Sequence, residues 1–521
     1  MTEAPLKAGR REWIGLAVLM LPLLLISMDM TVLYYAVPAI SAALSPSSSE
    51  QLWILDIYGF VLAGLLVTMG TLGDRIGRRR LLMIGAGAFG IASVASAYAH
   101  HAGTLIATRA VLGIAGATLM PSTMALVRNM FHDPKQRRTA LAVWMAVFSG
   151  GTAVGPLVSG VLLDHFWWGS VFLINVPVMV LLVVLGPLLL PESRDPKPGR
   201  FDLLSALLSL AAVLPTIYGI KQLAVDGFGW VAVLAIVAGI GIGAVFVARQ
   251  RRRANPTVDV RLFRHRAFGA SVLINVLAAF ALVGYALFTT QYMQLVLGLS
   301  PLAAALWSLP VTVAVAASAT VVGMLAKAVR PAYLIGGGLV LSAAGLAVLT
   351  RIGAHSGLPI LLVGAGIMAS GVVAAMTLTA DLILATAPAE RAGAASALSE
   401  TANELGGALG IALLGSIGAA VYRHQVVGAL PAGLPHDARA AAHDTLGGAT
   451  AVAAHLPGQA GAALLDGARV AFSHGLNITA LAGAVTMAVA AILAVTLLRR
   501  VRTDPPAAEP AASEPELARQ H

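Results

Sequence analysis

Apolar runs of about twenty residues recur along this chain from end to end, and few folds can accommodate them. That length lets an α-helix cross a hydrocarbon core of roughly 30 Å with every backbone polar group bonded inside the helix. Fourteen runs can be drawn, at about residues 14–37, 51–72, 81–99, 104–127, 139–163, 169–190, 203–220, 230–248, 267–290, 302–325, 333–350, 358–386, 394–421 and 471–498. Only 11% of the 521 residues are charged and 58% are hydrophobic, whereas a soluble domain carries about 25% charged residues. A soluble enzyme with buried helices does not hold so many runs. The chain reads as an all-α polytopic membrane protein.

The basic residues test this division. With the N-terminus in the cytoplasm and the spans alternating, 28 of the 34 Lys and Arg fall on cytoplasmic segments. Lys221, Arg351, Arg423, Arg439 and Arg469 fall outside, and Arg109 lies within a span. The positive-inside rule asks for such a split, and one miscounted span would scramble it. Both termini are therefore expected in the cytoplasm. The net charge of +10 marks inner loops; it is not a nucleic-acid face. The segment "RQRRRANPTVDVRLFRHR" (249–266) suits anionic inner-leaflet lipid. The first run is too long for a signal peptide and no small-residue cleavage site follows it. The absence of cysteine excludes disulfides and thiolate metal sites. The outer segment 422–470 reads as a solvated loop, and its histidines, His424, His436, His443 and His455, match no metal-ligand spacing. The tail 499–521, ending "PPAAEPAASEPELARQH", has a disordered composition.

An internal repeat organises the spans. The turn "GTLGDRIGRRRLL" (70–82) has a degenerate counterpart in "GMLAKAVRPAYLI" (323–335). Behind an N-tail of residues 1–13, two six-span units, 14–190 and 267–498, then flank two additional spans within 203–248. Related halves around a central cavity mark secondary transporters.

Charges inside spans are functional candidates by default. Here they are the acids Asp29, Asp56, Asp381, Glu400 and Glu404 and the base Arg109. Asp29 lies about 24 Å from the inner edge of the first span at 1.5 Å per residue, a depth close to that of Arg109, so the two can interact and Arg109 can bias the proton affinity of Asp29. Glu400 and Glu404, four residues apart in "SALSETANELGGALGIALLG" (396–415), bracket the midplane at roughly 12 and 18 Å from Ala392. Such a pair titrates as a unit and suits a group that takes a proton when a cation leaves. Aromatic faces near these acids can hold a cation; the candidates are Tyr34, Tyr35, Trp53, Tyr58, Trp144, Phe148 and Tyr285. Asp381 and Asp56 lie near span ends, where an acid can also reach water.

Several motifs carry a family resemblance. "GTLGDRIGRRR" resembles the loop motif of the major facilitator superfamily, and "LIATRAVLGIAGA" (105–117), with Arg109, resembles its fourth-helix motif. "GGTAVGPLVSG" (150–160) is similar to the fifth-helix motif of its antiporters, and "MDMTVLYYAVP" (28–38) looks like the first-helix signature of drug exporters. "WGSVFLINVP" (168–177) and "GAASALSETANELGGALG" (393–410) are similar to the fourteen-span drug:proton branch, which includes quaternary-ammonium efflux pumps. The resemblance implies the major facilitator fold and a conformational latch at Gly73, Asp74, Arg75, Gly77 and Arg78. Gly73 and Gly77 permit a tight turn, and Asp74 is expected near the start of the next helix, where the dipole favours a carboxylate. Gly151, Gly155 and Ser159 are spaced for close helix contact around a kink-permitting Pro156; the resemblance adds that this interface seals against leak.

The expected function is proton-coupled export of lipophilic cations across a bacterial cytoplasmic membrane by alternating access. Asp29, Arg109, Glu400 and Glu404 would carry the proton. Asp56, both glutamates and the aromatic residues would contact substrate. No cofactor beyond the proton gradient is called for, lipid is the surrounding partner, and a monomer suffices. The alternative is an exporter of an endogenous antibiotic or lipid-like metabolite. No metal cluster, nucleophile–base pair or phosphate loop points to an enzyme.

Overall fold

The structure, a computed structural model, describes residues 8–194, 202–225, 227–253, 260–326, 328–355, 357–386, 392–431 and 433–499. The tail read as disordered lies, beyond Arg499, outside the described residues, as does residue 1–7 of the N-tail.

Every span becomes a helix, since lipid leaves the backbone no other partner than itself. The first bundle contains α1 (Arg10–Leu44), α2 (Ser48–Ile76), α3 (Arg78–Ala97), α4 (Ala102–Met130) and α5 (Pro134–His165). Its sixth span is divided into α6 (Ser170–Leu173) and α7 (Asn175–Leu189). The added pair is α8 (Leu203–Val225) and α9 (Trp230–Arg252). The second bundle contains α10 (Arg266–Gln291), α11 (Pro301–Leu325), α12 (Pro331–Leu349), α13 (Leu358–Thr386), α14 (Ala392–Val426) and, after α15 (His436–Asp444) and α16 (Leu446–Ala453), the final α17 (Gly458–Leu498). Among the described residues, 14 helices are long and apolar enough to cross a membrane.

The widest departure from the expected boundaries lies in the outer segment. The segment 422–470 is largely helical. α14 runs on to Val426, α17 begins at Gly458 and spans 41 residues, and α15 and α16 lie between them. Alanine favours helix here, the Thr445 hydroxyl caps α16 by accepting from the Gly448 amide at 3.0 Å, and the Tyr422 hydroxyl donates to the Ala442 carbonyl at 2.9 Å.

Alternation of helix direction defines two faces. The basic face carries the start of α1 and the α2–α3, α4–α5 and α9–α10 connections; the loop face carries α15 and α16. Among the described residues four polar contacts that join the two bundles stand out, and each sits toward the loop face. Tyr35 and Ser308 share a hydrogen bond between hydroxyls at 2.9 Å, Gln294 Nε2 donates to the Tyr35 carbonyl at 3.1 Å, Ser300 Oγ donates to Asp164 at 3.2 Å, and the Ser48 hydroxyl donates to the Asp444 carbonyl. There too α5 presses on α11, where a Cβ at Gly160 would lie 2.6 Å from the Leu302 Cα. Of the added pair, α8 packs on both α2 and α14, while α9 packs on α8 and exposes Val231, Leu234, Val237 and Ile240. An apolar face of that kind is the ordinary surface toward lipid.

Candidate functional site

The first charged centre joins α1, α2 and α4. Arg109 Nη1 donates to Asp29 Oδ2 at 2.6 Å, and its Nε donates to the Ile54 carbonyl at 3.2 Å. The guanidinium carbon stands 4.6 Å from the centre of the Tyr58 ring, and only 2% of Arg109 is exposed. Close approach of α2 to α4 makes this possible, because Gly113 leaves room for the Tyr58 backbone, whose carbonyl would be 2.8 Å from a Cβ there. A buried arginine needs such partners, since an unpaired charge at this depth is strongly destabilising. The sequence places Asp29 and Arg109 at equal depth, and the structure brings them into contact.

The second centre is on α14. Glu400 and Glu404 lie one helical turn apart and are half-buried, and Glu400 acts electrostatically on Glu404. A Cβ built on Gly59 of α2 would stand 3.7 Å from Glu404 Oε2, so Glu404 faces the first bundle. Neither glutamate has an ion-pair partner among the described residues. The rotation of α14 is fixed from its other side. Gly406 and Gly410 press on α10, with a Cβ at Gly406 only 2.5 Å from the Val276 carbonyl and one at Gly410 overlapping the Phe280 carbonyl. Asn275 Nδ2 donates to Asn403 Oδ1 at 2.6 Å, and the Thr379 hydroxyl donates to Asn275 Oδ1 at 3.3 Å. Sequence reasoning missed this amide pair; two asparagines within apolar spans were the signal.

Tyr34 lies near both centres. Its hydroxyl lies within electrostatic reach of Glu404, Arg109 and Asp56. The other aromatic candidates divide. Tyr58 supports Arg109. Trp144 is buried, donates to the Thr123 hydroxyl at 3.3 Å and stacks on Phe148 at 5.7 Å, inside the first bundle. Tyr35 is tied into the contact between bundles. Tyr285, expected beside the substrate, is instead sealed in the core of the second bundle at 0% exposure, because the neighbouring Gly284 lets α10 close onto Gly410.

Asp56 departs furthest from expectation. The sequence reading puts Lys221 in an outer loop and Asp56 near substrate. α8 instead continues through Lys221, whose Nζ lies 2.7 Å from Asp56 Oδ2, with both side chains buried. The ammonium stands 4.0 Å over the Trp53 ring. Lys221 follows an apolar run that resumes with Leu223, Ala224 and Val225, which was the available signal. Asp381, on α13, is exposed. The excess of acid inside the bundles therefore shrinks to Glu400 and Glu404.

At the basic face, the loop motif is built differently from expectation. Asp74 is in the last turn of α2, not at the start of α3, and Arg78 holds it at 2.5 Å. That pairing offsets an acid at a helix C-terminus, which the dipole disfavours. The turn is made by Gly77, at φ +108°, while Gly73 and Arg75 remain helical. Glu192, which the sequence did not single out, faces Arg79 at 3.7 Å and accepts from the Arg79 amide at 3.1 Å. Gly151 and Gly155 of α5 let α1 approach, with the Leu24 and Met28 carbonyls 2.9 and 3.1 Å from the added Cβ positions; Ser159 donates to the Val32 carbonyl at 2.9 Å. Pro156 is accommodated within α5.

Two helical bundles with charged centres facing one another, and an added helix pair lying against both, define a membrane transporter rather than an enzyme. The profile of the Major Facilitator Superfamily matches residues 19–411, and the chain belongs to that superfamily. It is 45% identical over 499 residues to the multidrug efflux pump LfrA of Mycolicibacterium smegmatis, covering 96% of this chain and 99% of that one. It is 39% identical over 478 residues to the methyl viologen resistance protein SmvA of Salmonella typhimurium, covering 90% and 95% respectively. Among solved structures, a bacterial homologue of the human lysosomal transporter Spinster, inward-facing and unoccupied, matches with a TM-score of 0.65 at 18% identity, covering 94% of this chain and 98% of that one. That likeness concerns the fold. The chain is a multi-pass bacterial membrane protein.

Proposed function

We propose that this transporter is a drug efflux antiporter that exchanges protons for lipophilic cations, including quaternary ammonium compounds, dyes and biguanides, at the cytoplasmic membrane. The observation that carries the reading is the pair Glu400 and Glu404, of which Glu404 faces the first bundle and neither has an ion-pair partner among the described residues. Two uncompensated carboxylates in low dielectric must be neutralised, by protons or by a bound cation. That competition is what exchange requires. The names of the relatives support the substrate class, methyl viologen being an organic dication.

In the cycle, the state open to the outside admits protons to the glutamates and to Asp29, whose proton affinity Arg109 governs. Reorientation exposes them to the cytoplasm, protons leave, and a cation binds at Glu400 and Glu404 with Tyr34 beside it. The basic face is the cytoplasmic one, consistent with the positive-inside rule, so the polar contacts at the loop face belong to a state closed to the outside. Asp74 and Arg78 serve as the latch released during reorientation. A single chain suffices.

The test is ethidium export from membrane vesicles under an imposed pH gradient. Transport that persists when the gradient is collapsed would refute proton exchange. Glu400→Gln with Glu404→Gln is the sharper arm, since undiminished dication export by the double variant would remove the pair from the site.

A further inference from the structure

Lys221 is a buried charge with no part in that cycle. It is the one cation of α8, 1% exposed, and its ammonium finds no hydrogen-bond acceptor among the described residues beyond the carboxylate it faces. We propose that Lys221 is the internal counter-ion of Asp56, that this pair fastens the added helices to the first bundle and withholds Asp56 from substrate, and that the α8–α14 contact, beside the α2–α14 contact, is a surface across which the bundles slide.

Three observations carry this. The first is the local chemistry. An acid and an aromatic face, Asp56 and Trp53, are what a transporter would offer an organic cation, and here a lysine of the protein fills both at 2.7 and 4.0 Å. The second is the contrast between the two surfaces of α8. Lipid gives no hydrophobic drive for one helix to join another, so a specific polar contact decides where α8 docks. Toward α2 it has the ion pair together with the packing of Ala206 on Ile57, Val61 and Leu65. Toward α14 the described packing is Ile217 with Ala408 and Ala412, in an apolar cluster that also takes in Phe60 of α2. An apolar contact in a greasy surrounding is cheap to shift; a buried ion pair is not.

The third is the stiffness of the α8–α9 unit. At the basic face Asp202, just ahead of α8, accepts from Arg249 at 3.1 Å and pairs with Arg253 at 2.9 Å, and Gln250 donates to Ser205 at 2.8 Å. Toward the other end, Gly219 and Gly239 let the two helices close, the Ala212 carbonyl lying 2.6 Å from a Cβ at Gly239. Clasped at several levels, the two helices travel as one body, and Lys221 ties that body to α2.

The inference rests on the alternating-access reading, and its test separates the two. Asp56→Asn, Lys221→Met and the double variant are made in the full chain and compared by thermal midpoint in detergent and by dye export. Each single variant leaves a buried partner unmatched and is expected to lower the midpoint and to lose roughly tenfold or more in export. The double variant, with no charge left to bury, is expected to recover both. A double variant with a restored midpoint but the export defect of Asp56→Asn would overturn the proposal, because the carboxylate would then serve transport itself. A midpoint as low as in the single variants would overturn the fastening. The chain has no cysteine, so paired spin labels on introduced cysteines can read distances: α2–α8 is expected to stay constant and α8–α14 to change on adding methyl viologen, and the reverse would overturn the sliding surface. If the wild type exports no cation, the proposed function fails, while the three midpoints still decide the ion pair.

Discussion

The Asp29 carboxylate and the Arg109 guanidinium, eighty residues apart in sequence, meet at 2.6 Å between α1 and α4 with Tyr58 packed against the pair. Arg109 is anchored by a second bond to the Ile54 carbonyl, so its fork is used in two directions at once. Lysine has one point charge and cannot hold both partners. Arg109→Lys should therefore keep the net charge yet lose most export, whereas Arg109→Ala, leaving a buried acid alone, should also cost about 3–5 kcal/mol of stability. Export assays and detergent melts on both variants check this; full transport by Arg109→Lys would mean that the two-way geometry has no role.

Glu404 faces Gly59 of α2, whereas Glu400 sits one turn nearer the basic face. Each single Gln variant should lower export of a dication more than that of a monocation of similar size, with Glu404→Gln the more severe. Competition between the two dyes in the same vesicles gives the ratio, and equal loss for both substrates would contradict the charge argument.

The α1–α5 and α10–α14 contacts depend on glycine. Gly151→Val and Gly410→Val should each cost at least about 1–3 kcal/mol through overpacking, because the added carbons would enter the Leu24 and Phe280 carbonyls. Gly150→Val is the control, since nothing lies within 4 Å of a Cβ there. Detergent stability of the three variants should rank the control first.

Gly77 makes the α2–α3 turn at φ +108°, with the Glu192 carboxylate against the space a side chain would need. Gly77→Ala should cost on the order of 1–3 kcal/mol in backbone strain and slow export. Adding Glu192→Ala should relieve the steric part alone, so recovery should be incomplete; complete recovery would show that the backbone tolerates alanine.

Asp202 supplies a pH dependence. Burial opposes its charge, but hydrogen bonds from Ser205 and Arg249, with the Arg253 charge nearby, hold its carboxyl below the ordinary value of 3.8. A lowered carboxylate stabilises the fold fully above the unfolded-state value, and that contribution disappears as the pH falls through the folded-state value. Acid should therefore loosen the α8–α9 clasp, and Asp202→Asn should flatten this part of the stability profile as the pH falls below about 4, the unfolded value. An unchanged profile would show that the clasp does not depend on this charge.

Helix number was legible because lipid enforces both span length and backbone satisfaction, leaving a strong chemical trace in each run. The Asp29–Arg109 contact was legible from depth alone. Lys221 was not, because a lysine after an apolar run ordinarily marks the end of a span, and only the acid opposite it, far away in sequence, lets the helix continue. Asp74 was misplaced by one turn for a related reason: two glycines flank it, and sequence does not say which one takes the positive φ. The 422–470 segment was read as loop because it is rich in alanine and glycine with scattered histidines, although Thr445 and Tyr422 supply a cap and a tie for its helices.

The buried lysine also sets a schedule for biogenesis. A lysine costs up to about 2.5–3.5 kcal/mol on insertion scales, the full figure applying at a helix centre, and α8 carries Lys221 in its last five residues together with Pro215 in its interior. By the time α8 leaves the ribosome, α2 is already in the bilayer with Asp56 waiting. The earlier helix thus acts as a receptor for the later one. Nascent chains ending just beyond α8 should integrate it less efficiently when Asp56 is replaced by alanine, and equal integration would show that α8 enters unaided.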